Sequence, residues 1–163
     1  MKTLLKLSII FISSLLAVQT AYTHTLQQKP VTQDIMIHQM SVKTTPPGIS
    51  NSAAYFHIMN HSEKDIRLTG AESDAADIVE IHEHTMANGV MKMQKVESIM
   101  IPAGSSVEFK PGGYHIMLIG VTNKINTGDK VDIKLTFSNG TIKKIRASAS
   151  ETVNSTHHKH KHH

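Results

Sequence analysis

Turn chemistry cuts this chain into short pieces. The breaks Pro46-Pro47-Gly48, Asn88-Gly89, Pro102-Ala103-Gly104, Pro111-Gly112-Gly113, Gly128-Asp129 and Asn139-Gly140 follow one another along it. Gly and Asn supply the positive φ angles that such turns need, and Pro pre-sets the rest. Between them lie β-type runs at 34–42, 54–60, 65–71, 77–84, 91–96, 106–110, 115–120, 131–138 and 141–148. No segment carries a sustained 3.6-residue apolar stripe, so any helix is a single turn. VDIKLTFSNGTIKKIRASA alternates apolar and polar residues about Asn139-Gly140, a strong hairpin signal. The HIMLIG run reads as a strand covered on both faces. Short strands at this spacing predict an all-β fold, a Greek-key sandwich or barrel.

The two ends differ from this middle. Lys2 and Lys6 precede an apolar run at 7–18, and small or polar residues follow at Thr20, Ala21 and Thr23. That layout predicts a secretory signal peptide over 1–23, cut between Ala17 and Thr25, and hence a periplasmic protein. The run is shorter than the roughly 20 residues of a membrane helix. An uncleaved anchor is the alternative; after cleavage no membrane contact is expected. Residues 24–33, with Pro30, form a linker into a domain at 34–150. Residues 151–163 are polar and end HHKHKHH, which predicts a disordered tail.

Without Lys2 and Lys6 the chain has 15 basic against 13 acidic side chains. No basic cluster interleaves with aromatics, which argues against a nucleic-acid partner. There is no cysteine. Disulfides and thiolate metal sites are therefore excluded, blue copper and zinc fingers among them. Any metal must be held by His, Met, carboxylate or backbone, and the chain has 12 His and 9 Met but no Trp.

Side chains two apart in a strand share a face. His115 and Met117 form such a pair, which turns Ile116 and Leu118 into the core. His82 and His84 pair similarly, with Ile81 inward, and so do Met91 and Met93. Each pair borders a Gly- or Asn-containing turn, as strand ends near one rim would, so three strand ends can converge on one metal. Thioether is soft and serves Cu(I) far better than Mg²⁺, Ca²⁺ or Zn²⁺, while imidazole suits either copper state. Spacing alone leaves the choice open between a metal site and ordinary packing.

The stretch from His82 to Met117 resembles the periplasmic PCuAC copper chaperone family. Its pattern of His, ten residues, Met, twenty-one residues and His-x-Met is matched by His82, Met93 and His115-Ile116-Met117. VEIHEHTMANGVMKM, IPAGSSVEFKPGGYHIMLIG and GDKVDIKLTFSNG resemble the family's surrounding text. The resemblance implies a cupredoxin-like β-sandwich and one Cu(I) held by His82, Met93, His115 and Met117. It also implies delivery toward the copper centres of cytochrome oxidase, with the copper subunit or a thioredoxin-like assembly factor as partner. A monomer is expected.

Other residues get plainer expectations. His84, Met86 and Met91 are auxiliary ligands or rim packing, with packing the expectation. Met36, Met40, Met59 and Met100 are expected to fill the core, and His38, His57 and His61 to be solvated. Glu83 is read as a solvated charge. In the tail, His157, His158, His160, His162 and His163 are expected to take Cu(II). Lys159 and Lys161 among them argue for a native tail rather than a purification tag. A sequestering or copper-resistance protein that relies on this tail is the alternative function. No Ser/His/Asp or Cys/His grouping, phosphate loop or paired catalytic carboxylates point to an enzyme.

Overall fold

The phase of its first strand sets the tone of this fold. In the sequence IMIHQMSVK, Ile35 and Ile37 alternate with Met36 and His38, but Met40 and Val42 fall out of step with them. The computed structural model, which describes residues 34–152, resolves the conflict with a bulge. Gln39 takes φ 56° and the pairing register shifts between His38 and Ser41. One extra residue rephases the strand, so all four apolar side chains turn inward.

Ten strands follow in order: β1 (Ile35–Lys43), β2 (Asn51–Asn60), β3 (Ile66–Glu72), β4 (Ala76–Ala87), β5 (Val90–Lys95), β6 (Ile99–Ile101), β7 (Ser106–Phe109), β8 (His115–Val121), β9 (Lys130–Phe137) and β10 (Ile142–Ser150). Nine of them answer to the runs legible in the sequence. The tenth, β6, is three residues long and was not anticipated. No helix occurs among the described residues.

The strands form one sheet in the order β5-β4-β8-β2-β1-β10-β9-β3-β6. β2 is shared: its first half pairs with β8 and its second half with β7. β1 and β10 run parallel, and the other pairs of named strands are antiparallel. The sheet doubles over on itself, because β3 and β4 touch although they lie near opposite ends of that order. Its inner face closes on a single apolar core to which every strand except β5 contributes. Ile81, Ile116 and Leu118 lie in that core, as the alternation of β4 and β8 predicts.

The hairpin expected about Asn139-Gly140 forms between β9 and β10, and a second forms between β4 and β5. Asn139-Gly140 sits in a looser connection closed by the Phe137 amide donating to the Thr141 carbonyl. The two-residue turn belongs instead to Asn88-Gly89, whose φ angles of 53° and 75° suit a type I′ turn.

Asn60, 1% exposed, is the main buried polar anchor. Its amide nitrogen donates to the carbonyls of Lys64, Ile101 and Pro102 at 2.8, 3.0 and 3.2 Å. Its oxygen accepts from the Ser62 amide and hydroxyl. The side chain thereby ties the β2–β3 turn to the end of β6. Asn60→Ala leaves buried carbonyls unpaired and is expected to lose about 1–3 kcal/mol. A urea midpoint within about 0.3 kcal/mol of the parent's stability would contradict this role.

Candidate metal centre

The Asn88-Gly89 turn fixes the register of β4 against β5. It sets His84 opposite Met93, His82 opposite Lys95 and Met86 opposite Met91. On its other edge β4 pairs with β8, with His82 opposite His115 and Glu80 opposite Met117. Because partners in register share a face, Glu80, His82, His84, Met93, His115 and Met117 all stand on the outer side of the sheet. The site lies on the face of the sheet rather than at a rim of strand ends, since β4 continues to Ala87 before it turns.

Hydrogen bonds choose which ring nitrogens are bare. His115 is 2% exposed. Its Nδ1–H donates to the Gly113 carbonyl at 3.1 Å, which leaves Nε2 to face the Met93 sulfur at 3.2 Å. Burial lowers the His115 pKa, only partly offset by the Gly113 carbonyl, and charge on His84 or His82 lowers it further. The ring is therefore held neutral, the form in which imidazole binds metals.

His82 is fixed the other way round. Its Nε2–H donates to Glu80 Oε2 at 2.8 Å, and Glu80 Oε1 pairs with Lys95 at 3.0 Å. The His82 bond and then Lys95 hold the Glu80 carboxyl below its ordinary range. A carboxylate behind a histidine is the usual device for orienting a metal ligand. It leaves His82 Nδ1, which is buried and has no hydrogen-bond partner.

His84, an auxiliary ligand or rim packing by its sequence, lies beside His115. Its ring stacks on His115 at 4.9 Å and 27°, nearer than His82 at 5.7 Å. Its Nδ1 is also buried without a partner. The period-two spacing of His82 and His84 carried that signal. Met117 shares the face of His115 and stands opposite Glu80 and Ala53. Met86 and Met91 pair with each other further toward the hairpin turn, both exposed.

The His115 Nε2 and the Met93 sulfur meet at 3.2 Å, with the His84 and His82 rings beside them. Imidazole and thioether without a thiol are a donor chemistry that suits soft ions. Two of these rings carry a buried Nδ1 without a hydrogen-bond partner, where buried polar atoms are normally satisfied.

The remaining expectations divide. Met36 and Met100 are exposed rather than core filling, Met40 packs against the core and Met59 is half-buried. His61 is exposed. His38 and His57 are half-buried and touch each other. The signal peptide at 1–23, the linker at 24–33 and the tail histidines His157, His158, His160, His162 and His163 lie outside the described residues.

Comparison with known proteins places this geometry in context. The family described as "Putative lipoprotein LpqE-like" matches residues 35–149. The chain is 35% identical over 107 residues to "Putative lipoprotein Lxx21020" of Leifsonia xyli subsp. xyli, across 65% of this chain and 63% of that protein. It is 38% identical over 96 residues to "Uncharacterized protein RP573" of Rickettsia prowazekii, across 58% and 53%. The match thus spans between half and two thirds of these relatives' length. Among solved structures, CuI-DR1885 from Deinococcus radiodurans aligns with a TM-score of 0.60 at 26% identity, over 78% of this chain and 87% of that one. The copper-bound PCuAC domain from PmoF2 aligns with a TM-score of 0.62 at 21% identity, over 73% and 94%. The fold is therefore the cupredoxin-like sandwich of PCuAC domains.

Proposed function

The chain belongs to the LpqE-like family, a family of PCuAC type, and on that premise we propose that it is an exported copper chaperone that carries Cu(I) on the outer face of its sheet. His82, Met93, His115 and Met117 are its ligands, with His84 close enough to assist. The observation that carries this reading is the bare His115 Nε2 turned onto the Met93 sulfur at 3.2 Å, beside two buried and unpartnered imidazole nitrogens.

Chaperoning needs a site that holds copper and yet gives it up. His115 and His82 are buried and fixed by their partners, whereas Met93 is 47% exposed on an edge strand. An incoming ligand can displace the thioether first while the imidazoles keep the ion. Thioethers also suit an oxidising compartment, where thiolates are liable to oxidise. The recipient we propose is the copper subunit of cytochrome oxidase or a thioredoxin-like assembly factor, and the location the periplasm. The lipoprotein name of the Leifsonia relative supports export, and the Cu(I) form of the Deinococcus protein supports the metal.

An anaerobic Cu(I) competition titration tests the reading. The chain carrying Met93→Ala and Met117→Ala is expected to bind one tight equivalent fewer than the parent. An unchanged count and affinity would remove the His/Met site and leave the tail as the sequestering alternative.

A further inference from the structure

Among the described residues three buried side-chain nitrogens lack a hydrogen-bond partner, and all three are histidine Nδ1 atoms: His38, His82 and His84. Two belong to the centre described above. The third lies on β1, three strands from β4 in the same sheet. In β1 the sequence reads Met36-Ile37-His38, and in β2 it reads His57-Ile58-Met59. The two triplets are mirror images, and β1 and β2 pair antiparallel in the register that sets Met36 opposite Met59 and His38 opposite His57. Ile37 faces Ile58 on the core side, so two imidazoles and two thioethers stand together on the outer face.

We propose that Met36, His38, His57 and Met59 form a second Cu(I) site. The imidazoles already meet: His57 Nδ1 lies 3.3 Å from His38 Nε2, with the rings edge to face at 73°. Two ligand atoms each about 2.0–2.1 Å from a tetrahedral metal lie about 3.3–3.4 Å apart. The present nitrogen pair spans that edge. Without metal one proton sits between the two nitrogens. Both become bare when that proton passes to the other nitrogen of its own ring.

The thioethers complete the set. Met36 is 45% exposed and Met59 half-buried. Each neighbours its own strand's histidine at two residues, and the diagonal partner across the pair lies about 7–8 Å away, within reach of a long side chain. Glu108 stands opposite His57 on β7, but Lys110 engages its carboxylate at 2.6 Å. The paired imidazoles and thioethers are the donor set that favours Cu(I) over Zn²⁺ or Cu(II). The bulge at Gln39 follows His38 directly and lets β1 keep its apolar residues inward on both sides of the site. Tyr55 lies between the two centres, its ring 6.3 Å from His115 and two residues from His57 on the same face of β2. The sheet thus carries two copper stations on one surface.

Methyl NMR of the full chain, labelled at the methionine methyl groups and titrated anaerobically with Cu(I), tests the site. The chain would carry Met93→Ala and Met117→Ala, with Met36→Leu and Met59→Leu used for assignment. The Met36 and Met59 methyl signals are expected to shift together and to saturate. His38→Ala with His57→Ala should abolish both shifts and lower the bound copper by one equivalent. Static Met36 and Met59 methyls in a chain that still takes up copper would overturn the proposal. In the parent chain, a response at Met36 and Met59 without one at Met93 and Met117 would sink the first centre and leave this one standing.

Discussion

His115→Ala is expected to weaken Cu(I) binding at the first centre by more than a hundredfold. His115 is the hub of that cluster. It stacks on His84, leans on His82 and turns its Nε2 onto the Met93 sulfur. Removing a partner that merely orients a ligand costs roughly 10–100-fold in metal affinity, and deleting the ligand itself must cost more. The substitution also frees the Gly113 carbonyl from its side-chain donor, while that oxygen still accepts from the His84 amide at 3.3 Å. The fold should survive, because Ile116 and Leu118 still hold β8 in the core. A competition titration with circular dichroism as the folding control gives the result. An affinity within tenfold of the parent, in a folded chain, would mean that copper sits elsewhere.

The second large effect is on stability. Phe56 and Phe109 are register partners across β2 and β7, each 2% exposed, with rings stacked at 4.5 Å and 24°. Phe56→Ala removes a ring from a close-packed region, and such changes cost about 3–5 kcal/mol. A domain of this size has only about 5–15 kcal/mol in total. With no cysteine in the chain, no disulfide limits the unfolded state to offset the loss. Urea unfolding should show a much lower midpoint at an unchanged slope. A loss below about 1 kcal/mol would show that the site collapses around the missing ring.

What could be read in advance followed from local periodicity. The inward turn of Ile81, Ile116 and Leu118, and the shared face of His115 and Met117, need only the period of two that any strand obeys. β6 escaped because Ile99, Met100 and Ile101 are too few to show alternation. Pairing register between distant strands is not a local property. Nothing near His82 announces that it will stand opposite His115; the resemblance of the whole stretch carried that expectation. No such help existed for Met36, His38, His57 and Met59. Their meeting depends on the β1–β2 register and on the bulge at Gln39, so the methionines looked like filler and the histidines like solvated surface.

The edge position of β5 has a kinetic meaning. That strand contributes nothing to the core, exposes every residue and pairs on one side only. Segments of this kind open at free energies far below global unfolding. Met93 therefore rides on the part of the domain that can peel away while β4 and β8 stay folded. The lifetime of bound copper would then be set by how often the hairpin breathes, and mutations along β5 that never touch the metal would act as a clock on its release.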